Sequence, residues 1–348
     1  MRGEFLVVAS NNRVQFKLTI RRNLTILKGN SATGKTTLLD LVAAYDELGS
    51  SSGVTVRCDV PCHVLSGKDW ARDLAGYSSC IIFIDEDSAF MRSYEFASMA
   101  KASDNYYVLV ARESLHQLPY SVDEIYGLKN SNRSTTKNPV YSRIYASTYR
   151  IYSHSTFEGE RPELVIVEDT NSGYEFFSTL CLKNGIPCIS ARGKSNVYSA
   201  ALHSDASKIL IIADGAAFGP EMEAIHALGR FKDIELFLPL SFEWLVLRSG
   251  LFEDNETRKM LERPANYIDS ERFFSWEQFF THELIEKTAH SYLAYQKSSL
   301  NDAYLEDRSV AAIVKGMPDL GIEAPKLAVT RKFQTQRLSP RLRGEALL

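Results

Sequence analysis

The chain has 348 residues, 45% of them hydrophobic and 24% charged, and its formal net charge is −3. That length and balance describe an ordinary soluble protein with a sizeable core and favour two domains over one. No apolar run approaches the roughly 20 residues that span a bilayer, which excludes a membrane span. The opening "MRGEFLVVASNNRVQF" holds too short an apolar stretch for a signal peptide, and a cytoplasmic location is expected.

In chain order, "FLVVAS" and "VQFKLTI" flank the turn-forming "NNR" and predict a hairpin leading into the strand "NLTILKG". A glycine-framed loop follows, then a helix from about Lys35, a strand near "VTVRCDV", a helix near "DWARDLAG", the buried strand "CIIFI", a helix near "SYEFASMAKA" and the strand "YYVLVA". This alternation is that of a parallel α/β sheet. Lys129 to Arg150 is rich in Ser, Thr, Asn and Tyr and has no acidic residue; its second half reads as an edge strand closing the first domain. The alternative is a base-stacking strip of Tyr141, Tyr145 and Tyr149 among Arg143 and Arg150.

"SHSTFEGERP" reads as a linker to a second α/β set: the strand "ELVIVED", a helix in "GYEFFSTLCLKNG", the strand "IPCIS", a short helix after Asn196, the strand "KILIIAD", a helix in "PEMEAIHALGR" and the strand "IELFLPL". After it the chain turns helical, with Ser275 and Gln278 as a capping box for a helix carrying Trp276, Phe280 and Leu284 on one face. The expected organisation is residues 1–155, 156–245, a helical extension over 246–324 and a basic tail over 325–348. The tail holds six basic residues against Glu345 alone and reads as a solvated, disordered end or, alternatively, a contact for nucleic acid or an acidic partner. The five cysteines, Cys58, Cys62, Cys80, Cys181 and Cys188, are an odd number and read as free thiols. Cys58 and Cys62 have the makings of half a zinc site, with His63 adjoining, but no second close pair follows.

Two constellations carry chemistry. Gly29-Asn30-Ser31-Ala32-Thr33-Gly34-Lys35-Thr36 fits G-x-x-x-x-G-K-[ST] between a strand and a helix. Its glycines let successive N–H groups face a phosphate at a helix N-terminus; Lys35 reaches the β- and γ-phosphates of ATP, Thr36 ligates Mg²⁺, and Thr37 extends the nucleotide set. "CIIFIDED" then places Asp85 to hold Mg²⁺ and Glu86 to polarise an attacking water, with Asp87 structural. Arg112, ending the next strand, senses the γ-phosphate or pairs with the acidic cluster. These residues resemble the P-loop NTPases, and the opening hairpin with the Asp-Glu pair looks most like ABC-type ATPase heads. Lys35 and Asp85 are only 50 residues apart, where ABC heads insert a helical subdomain with a signature; "LSGKDW", Leu65 to Trp70, is a faint match or an ordinary strand-to-helix turn capped near Ser66.

Glu168 ends the strand "ELVIVE" and Asp214 ends "KILIIAD", so a parallel sheet brings both carboxylates to one edge, suited to a hard cation. Helix capping is the plain alternative. The spacing resembles the Toprim domain of topoisomerases, primases and OLD-type nucleases, whose pattern is a Glu and then D-x-D-x-x-G. Here the second motif is Asp214-Gly215-Ala216-Ala217-Phe218-Gly219, with Ala216 where the family has Asp; Asp169 and Glu221 are nearby carboxylates off the family position. Three readings stay open: an active nuclease, a Toprim-like fold that binds without cutting, and an unrelated Rossmann-like domain. The resemblance implies two α/β domains, a P-loop NTPase and a Toprim-like domain. Their expected function is an ATP- and Mg²⁺-dependent ATPase controlling a module that acts on nucleic acid or a protein partner, in the manner of anti-phage or DNA-maintenance systems. A non-catalytic nucleotide-gated binder, alone or as a homo-oligomer, and a small-molecule kinase are the alternatives.

Overall fold

A computed structural model describes residues 1–29, 33–132, 143–152, 157–252 and 254–326. Asn30, Ser31 and Ala32 of the glycine loop, Tyr141, residues 153–156 of the expected linker and the tail beyond Lys326 lie outside the described residues.

Two sheets organise the α/β fold. The first takes β1 (Phe5–Ser10), β2 (Val14–Ile20), β3 (Leu24–Leu27), β4 (Thr55–Arg57), β5 (Cys62–Val64), β6 (Ile81–Ile84), β7 (Tyr106–Val110), β8 (Ile125–Asn132) and β9 (Ile144–Arg150). Their order is β4-β1-β2-β9-β8-β3-β7-β6-β5. The hairpin forms as expected, with Phe5 opposite Ile20 and Ser10 opposite Gln15. Around β3 the pairing is parallel, to β7 and β8, and on through β6 to β5; the other half of the sheet is mixed. The tyrosine-rich β9 is not an edge strand. It lies inside the sheet, parallel to β2 and antiparallel to β8. Its polar composition suggested an edge because both faces carry part-exposed side chains, but the backbone is bonded on both sides. The partner strand β8 begins four residues before the polar segment and was hidden by it.

The second sheet is wholly parallel: β10 (Leu164–Val167), β11 (Cys188–Ser190), β12 (Lys208–Ile212) and β13 (Asp233–Phe237) in the order β11-β10-β12-β13. Strand order reverses between β10 and β12, which opens a crevice at their carboxyl ends.

Helices fill the layers. α1 (Lys35–Leu48) covers one face of the first sheet, and α2 (Trp70–Ala75) and α3 (Tyr94–Lys101) the other. The period of two in a strand sends alternate residues of β6 to opposite sides: Ile81 and Phe83 pack with α1, while Ile82 and Ile84 face α2 and α3. The latter layer does not stop at the first sheet. Leu164, Ile166, Ile209 and Ile211 of the second sheet belong to the same buried cluster, together with α5 (Lys194–His203) and α6 (Met222–Leu228). The far face of the second sheet packs α4 (Ser172–Lys183), α7 (Phe242–Arg248), α8 (Asn255–Glu262), α9 (Trp276–Thr288) and α10 (Asp307–Lys315). The Ser275–Gln278 capping box opens α9 as expected. Among the described residues no helix is long and apolar enough to cross a membrane.

Candidate functional site

β3 is buried along its whole length, and the chain leaves it through Gly29 (φ 136°) to re-enter a helix at Gly34 (φ 95°). Both values lie in the left-handed region that only glycine adopts cheaply, so the two framing glycines follow from the turn itself. A Cβ on Gly34 would also meet the Phe16 ring at 3.3 Å. α1 starts at once with Lys35, and no acidic residue occupies its first turn; the positive helix end therefore stays available to an anion. The Lys35 Nζ donates to the Gly29 carbonyl at 2.6 Å and to Thr33 Oγ1 at 3.2 Å, folding across the loop it serves. Burial lowers its pKa, against the raising effect of Glu86 and Asp85. Thr36 and Thr37 stand exposed on the first turn.

β7 lies between β3 and β6, so the ends of all three strands share one edge. Asp85 and Glu86 follow β6, and Arg112 follows β7. Lys35 feels the charges of Glu86, Arg112 and Asp85, so four expected residues do come together. Arg112 takes Glu86 as its partner rather than Asp85: Nε donates to Oε2 at 2.8 Å and the second guanidinium nitrogen to Oε1. That fork holds Glu86 below its usual carboxylate pKa. Asp85 Oδ1 accepts the Glu86 N–H at 2.8 Å. "LSGKDW" is the strand-to-helix turn between β5 and α2, with Asp69 rather than Ser66 at the helix cap.

At the second sheet, Glu168 and Asp214 follow β10 and β12 and flank the crevice where strand order reverses. The Glu168 side chain is no helix cap: its Oε2 accepts the Asp214 N–H at 2.9 Å. Asp169 does the capping, accepting the N–H groups of Thr170, Asn171 and Gly173 at 2.7, 3.2 and 3.1 Å. A cleft of about 20 Å³ lies between Glu168, Asp169, Asp214 and Phe242, room for a single water or ion. Burial, then the nearby Glu277, pushes Glu168 up to about 7, and burial with Glu277 and Glu168 raises Asp214 well above its ordinary value. Two carboxyl groups driven toward the neutral form by burial and mutual repulsion are what a cation would relieve.

Sequence reasoning missed the residues that surround this pair. Glu277 sits in the first turn of α9, and Lys297 Nζ bridges it (2.7 Å) to the fully buried Glu243 (3.1 Å). Tyr295 OH donates to the same Glu243 oxygen at 2.7 Å, while Glu243 Oε2 is buried with no partner. Lys194, at the start of α5, donates to the Ala217 carbonyl at 3.1 Å and lies within the field of Glu168 and Glu277. Neither Glu277 nor Lys297 carries a sequence spacing that betrays the meeting. Among the described residues, no set of three or more His, Cys, Asp and Glu side chains stands ready as a metal cage. At the other cysteine-rich corner, His63 Nδ1 pairs with Asp46 at 2.8 Å and its ring stacks on Tyr77.

The two sites are joined by a polar seam. Lys28, next to Gly29, reaches Glu223 of α6 at 2.9 Å. Val122 N–H and Ser121 Oγ both donate to the Gly215 carbonyl at 3.0 Å, and Gly219 N–H donates to the Tyr120 carbonyl at 3.0 Å. The glycines of the Asp214 loop are set by close approach: a Cβ on Gly215 would lie 2.5 Å from the Leu238 carbonyl oxygen. Asn23 Nδ2 donates to the Phe274 carbonyl at 2.7 Å and the Arg22 guanidinium lies 3.6 Å above the Trp276 ring, so the β2–β3 turn also grips the start of α9, one residue before Glu277.

No protein-family model matches the chain, and no curated protein matches it.

Proposed function

We propose that the chain is an ATP-binding P-loop protein, a slow ATPase, whose nucleotide state controls a Toprim-like carboxylate site acting on nucleic acid. The observation that supports this reading is the seam: Lys28, at the strand end that feeds the glycine loop, pairs with Glu223 in the first turn of α6, and residues 120–122, ahead of β8, bond to Gly215 and Gly219 of the loop that presents Asp214. A shift of the glycine loop around a triphosphate is then felt at the second crevice without crossing a linker.

At the first site, Lys35 would leave the Gly29 carbonyl for the phosphates, and Thr36 and Asp85 would hold Mg²⁺. Arg112 has a choice of anions: the γ-phosphate competes with Glu86 for its fork, and releasing Glu86 leaves that carboxylate to orient water. At the second site, Glu168 and Asp214 supply the hard oxygen ligands, and Mg²⁺ commonly needs only one or two protein carboxylates beside the phosphates of its substrate. When bound there, the ion would neutralise charge on a phosphodiester. Lys297 and Lys194 would add positive charge near the phosphodiester, while Ala216, at the position of the family's second aspartate, leaves the metal one ligand fewer.

The lack of a ready three-carboxylate cage favours a second reading, in which the crevice binds nucleic acid or a protein partner without cutting it. One experiment separates the two. Radiolabelled RNA and DNA are incubated with ATP, Mg²⁺ and wild-type protein, Glu86→Gln or Asp214→Ala. The nuclease reading expects cleavage by wild type that Asp214→Ala loses by at least about 100-fold, a size usual for a metal-ligating carboxylate. Cleavage untouched by Asp214→Ala would reject that site, and retention of nucleic acid without cleavage by all three proteins supports the binder.

A further inference from the structure

Beyond β3 the first sheet runs on through β8, β9, β2, β1 and β4. Alternate residues of β1 and β2, among them Val7, Phe16 and Leu18, are buried in the cluster shared with α1. Their neighbours Leu6, Val8, Gln15, Lys17 and Thr19 look the other way and are half or fully exposed. The register draws one row straight across that second face: Arg57 stands opposite Val8, Val8 opposite Lys17, Lys17 opposite Ser147, and Ser147 opposite Lys129. Strands about 4.8 Å apart bring the three cations to a spacing of about 10 Å along this row. All three are exposed. None of the five strands contains an Asp or Glu, in a chain whose net charge is −3. The carboxylates at the rim are already engaged: Glu4, just ahead of β1, pairs with Arg21 at 3.1 Å, and Asp123 with Arg150 at 3.2 Å.

Aromatic rings stand beside the row. Tyr145 and Tyr149 flank Ser147 on the same face of β9. The phenol end of Tyr149 lies directly over the backbone of Gly127, where a Cβ would be 2.5 Å from Cζ and 2.6 Å from the hydroxyl oxygen. The bare glycine therefore lets this ring lie down on the sheet, and the tyrosine remains 45% exposed. Arg143, whose guanidinium is 5.9 Å from the Tyr145 ring, is anchored by donating to the Asn11 carbonyl at 2.8 Å.

We propose that this face binds single-stranded RNA, with its phosphates drawn to Arg57, Lys17 and Lys129 and a base stacked on Tyr149. Charge complementarity selects a polyanion, and an exposed ring lying on a sheet suits a base that is not already paired within a duplex. RNA is favoured over DNA because neutral hydrogen-bonding groups surround the cations: Ser147 in the row itself, with Ser10, Gln15, Thr19 and Thr55 beside it. Hydroxyls and amides of that kind match a 2′-hydroxyl, which both donates and accepts. The proposal rests on no assignment of the nucleotide or carboxylate sites.

The test is fluorescence anisotropy of the full-length protein with a labelled oligouridylate of about 12 nucleotides, a length within the range that one such platform covers. The buffer contains EDTA and no ATP, so neither nucleotide turnover nor a metal at Asp214 affects the result. Affinity should fall with salt at a log–log slope of about −2, as three phosphate contacts at roughly 0.7 each predict. Replacing Lys17, Arg57 and Lys129 together by Gln should weaken binding at least about tenfold and flatten that slope. Lys101→Gln, an exposed lysine of α3, should leave both as in wild type. Tyr149→Ala should cost at least about fivefold, and Tyr149→Phe, which keeps the ring, should bind as wild type does. The same sequence as DNA should bind at least about fivefold more weakly. All the substituted residues are exposed, and unchanged melting temperatures verify that the variants fold. No binding by wild type, equal binding of RNA and DNA, or an affinity unmoved by the triple substitution would overturn the proposal. Displacement of the RNA by polyglutamate as effectively as by unlabelled oligouridylate would overturn it in favour of an acidic protein partner.

Discussion

Gly219→Ala is expected to destabilise the protein by about 3 kcal/mol or more, the range reserved for overpacking a core that cannot move. A Cβ at this position would stand 2.4 Å from Cδ2 and 2.6 Å from Cε2 of Tyr120, and 2.6 Å from its carbonyl oxygen. Tyr120 is 1% exposed within the cluster shared by both sheets, so the ring has nowhere to swing. The carbonyl is fixed as well, because it accepts the Gly219 N–H. Trimming the ring would relieve only half the clash. Denaturant midpoints against Gly53→Ala provide the scale: Gly53 has positive φ (72°), unlike Gly219, but meets nothing within 4 Å, and its replacement should cost only about 1 kcal/mol of backbone strain. Equal losses for the two variants would mean that the seam between the sheets is looser than described.

Lys35→Ala is expected to weaken ATP binding by on the order of 100-fold or more while leaving the melting temperature close to that of wild type. In the proposed role the lysine would contribute charge-assisted hydrogen bonds, each about 1.5–3 kcal/mol, to the phosphates. Among its partners, the Gly29 carbonyl and Thr33 hydroxyl are near the surface and can turn to water when it is gone. Titration calorimetry with ATP and Mg²⁺ measures the change. Unaltered affinity would move the nucleotide elsewhere on the molecule.

The glycine loop was legible because its residues answer local demands. Two positive-φ turns need glycine, and the lysine at the helix start folds back onto the loop's own carbonyl. Strands such as β6 and β10 were equally plain, since four consecutive apolar residues with turns at each end leave little choice. What the sequence hid is long-range. β9 looked like an edge because its side chains are polar and part-exposed, and its interior place depends on β8, a partner with no alternating pattern of its own. The apolar cluster shared by the sheets is invisible for the same reason: Leu164 and Ile209 read as core residues, without saying whose core. Glu277 and Lys297 reach the Glu168–Asp214 crevice only because α9 packs there, and Arg22 and Asn23 help to hold it. Glycines 215 and 219 matched a motif by spacing, yet their local reason is contact with Leu238 and Tyr120.

The central claim is that a nucleotide at the glycine loop is felt at the Asp214 loop. Hydrogen–deuterium exchange of the full-length protein, with and without saturating ATP and Mg²⁺, tests it directly. The account predicts slower exchange both in residues 27–38 and in residues 213–223, and neither change in Lys35→Ala at the same ATP concentration. Protection confined to residues 27–38, with 213–223 exchanging as in the free protein, would contradict it.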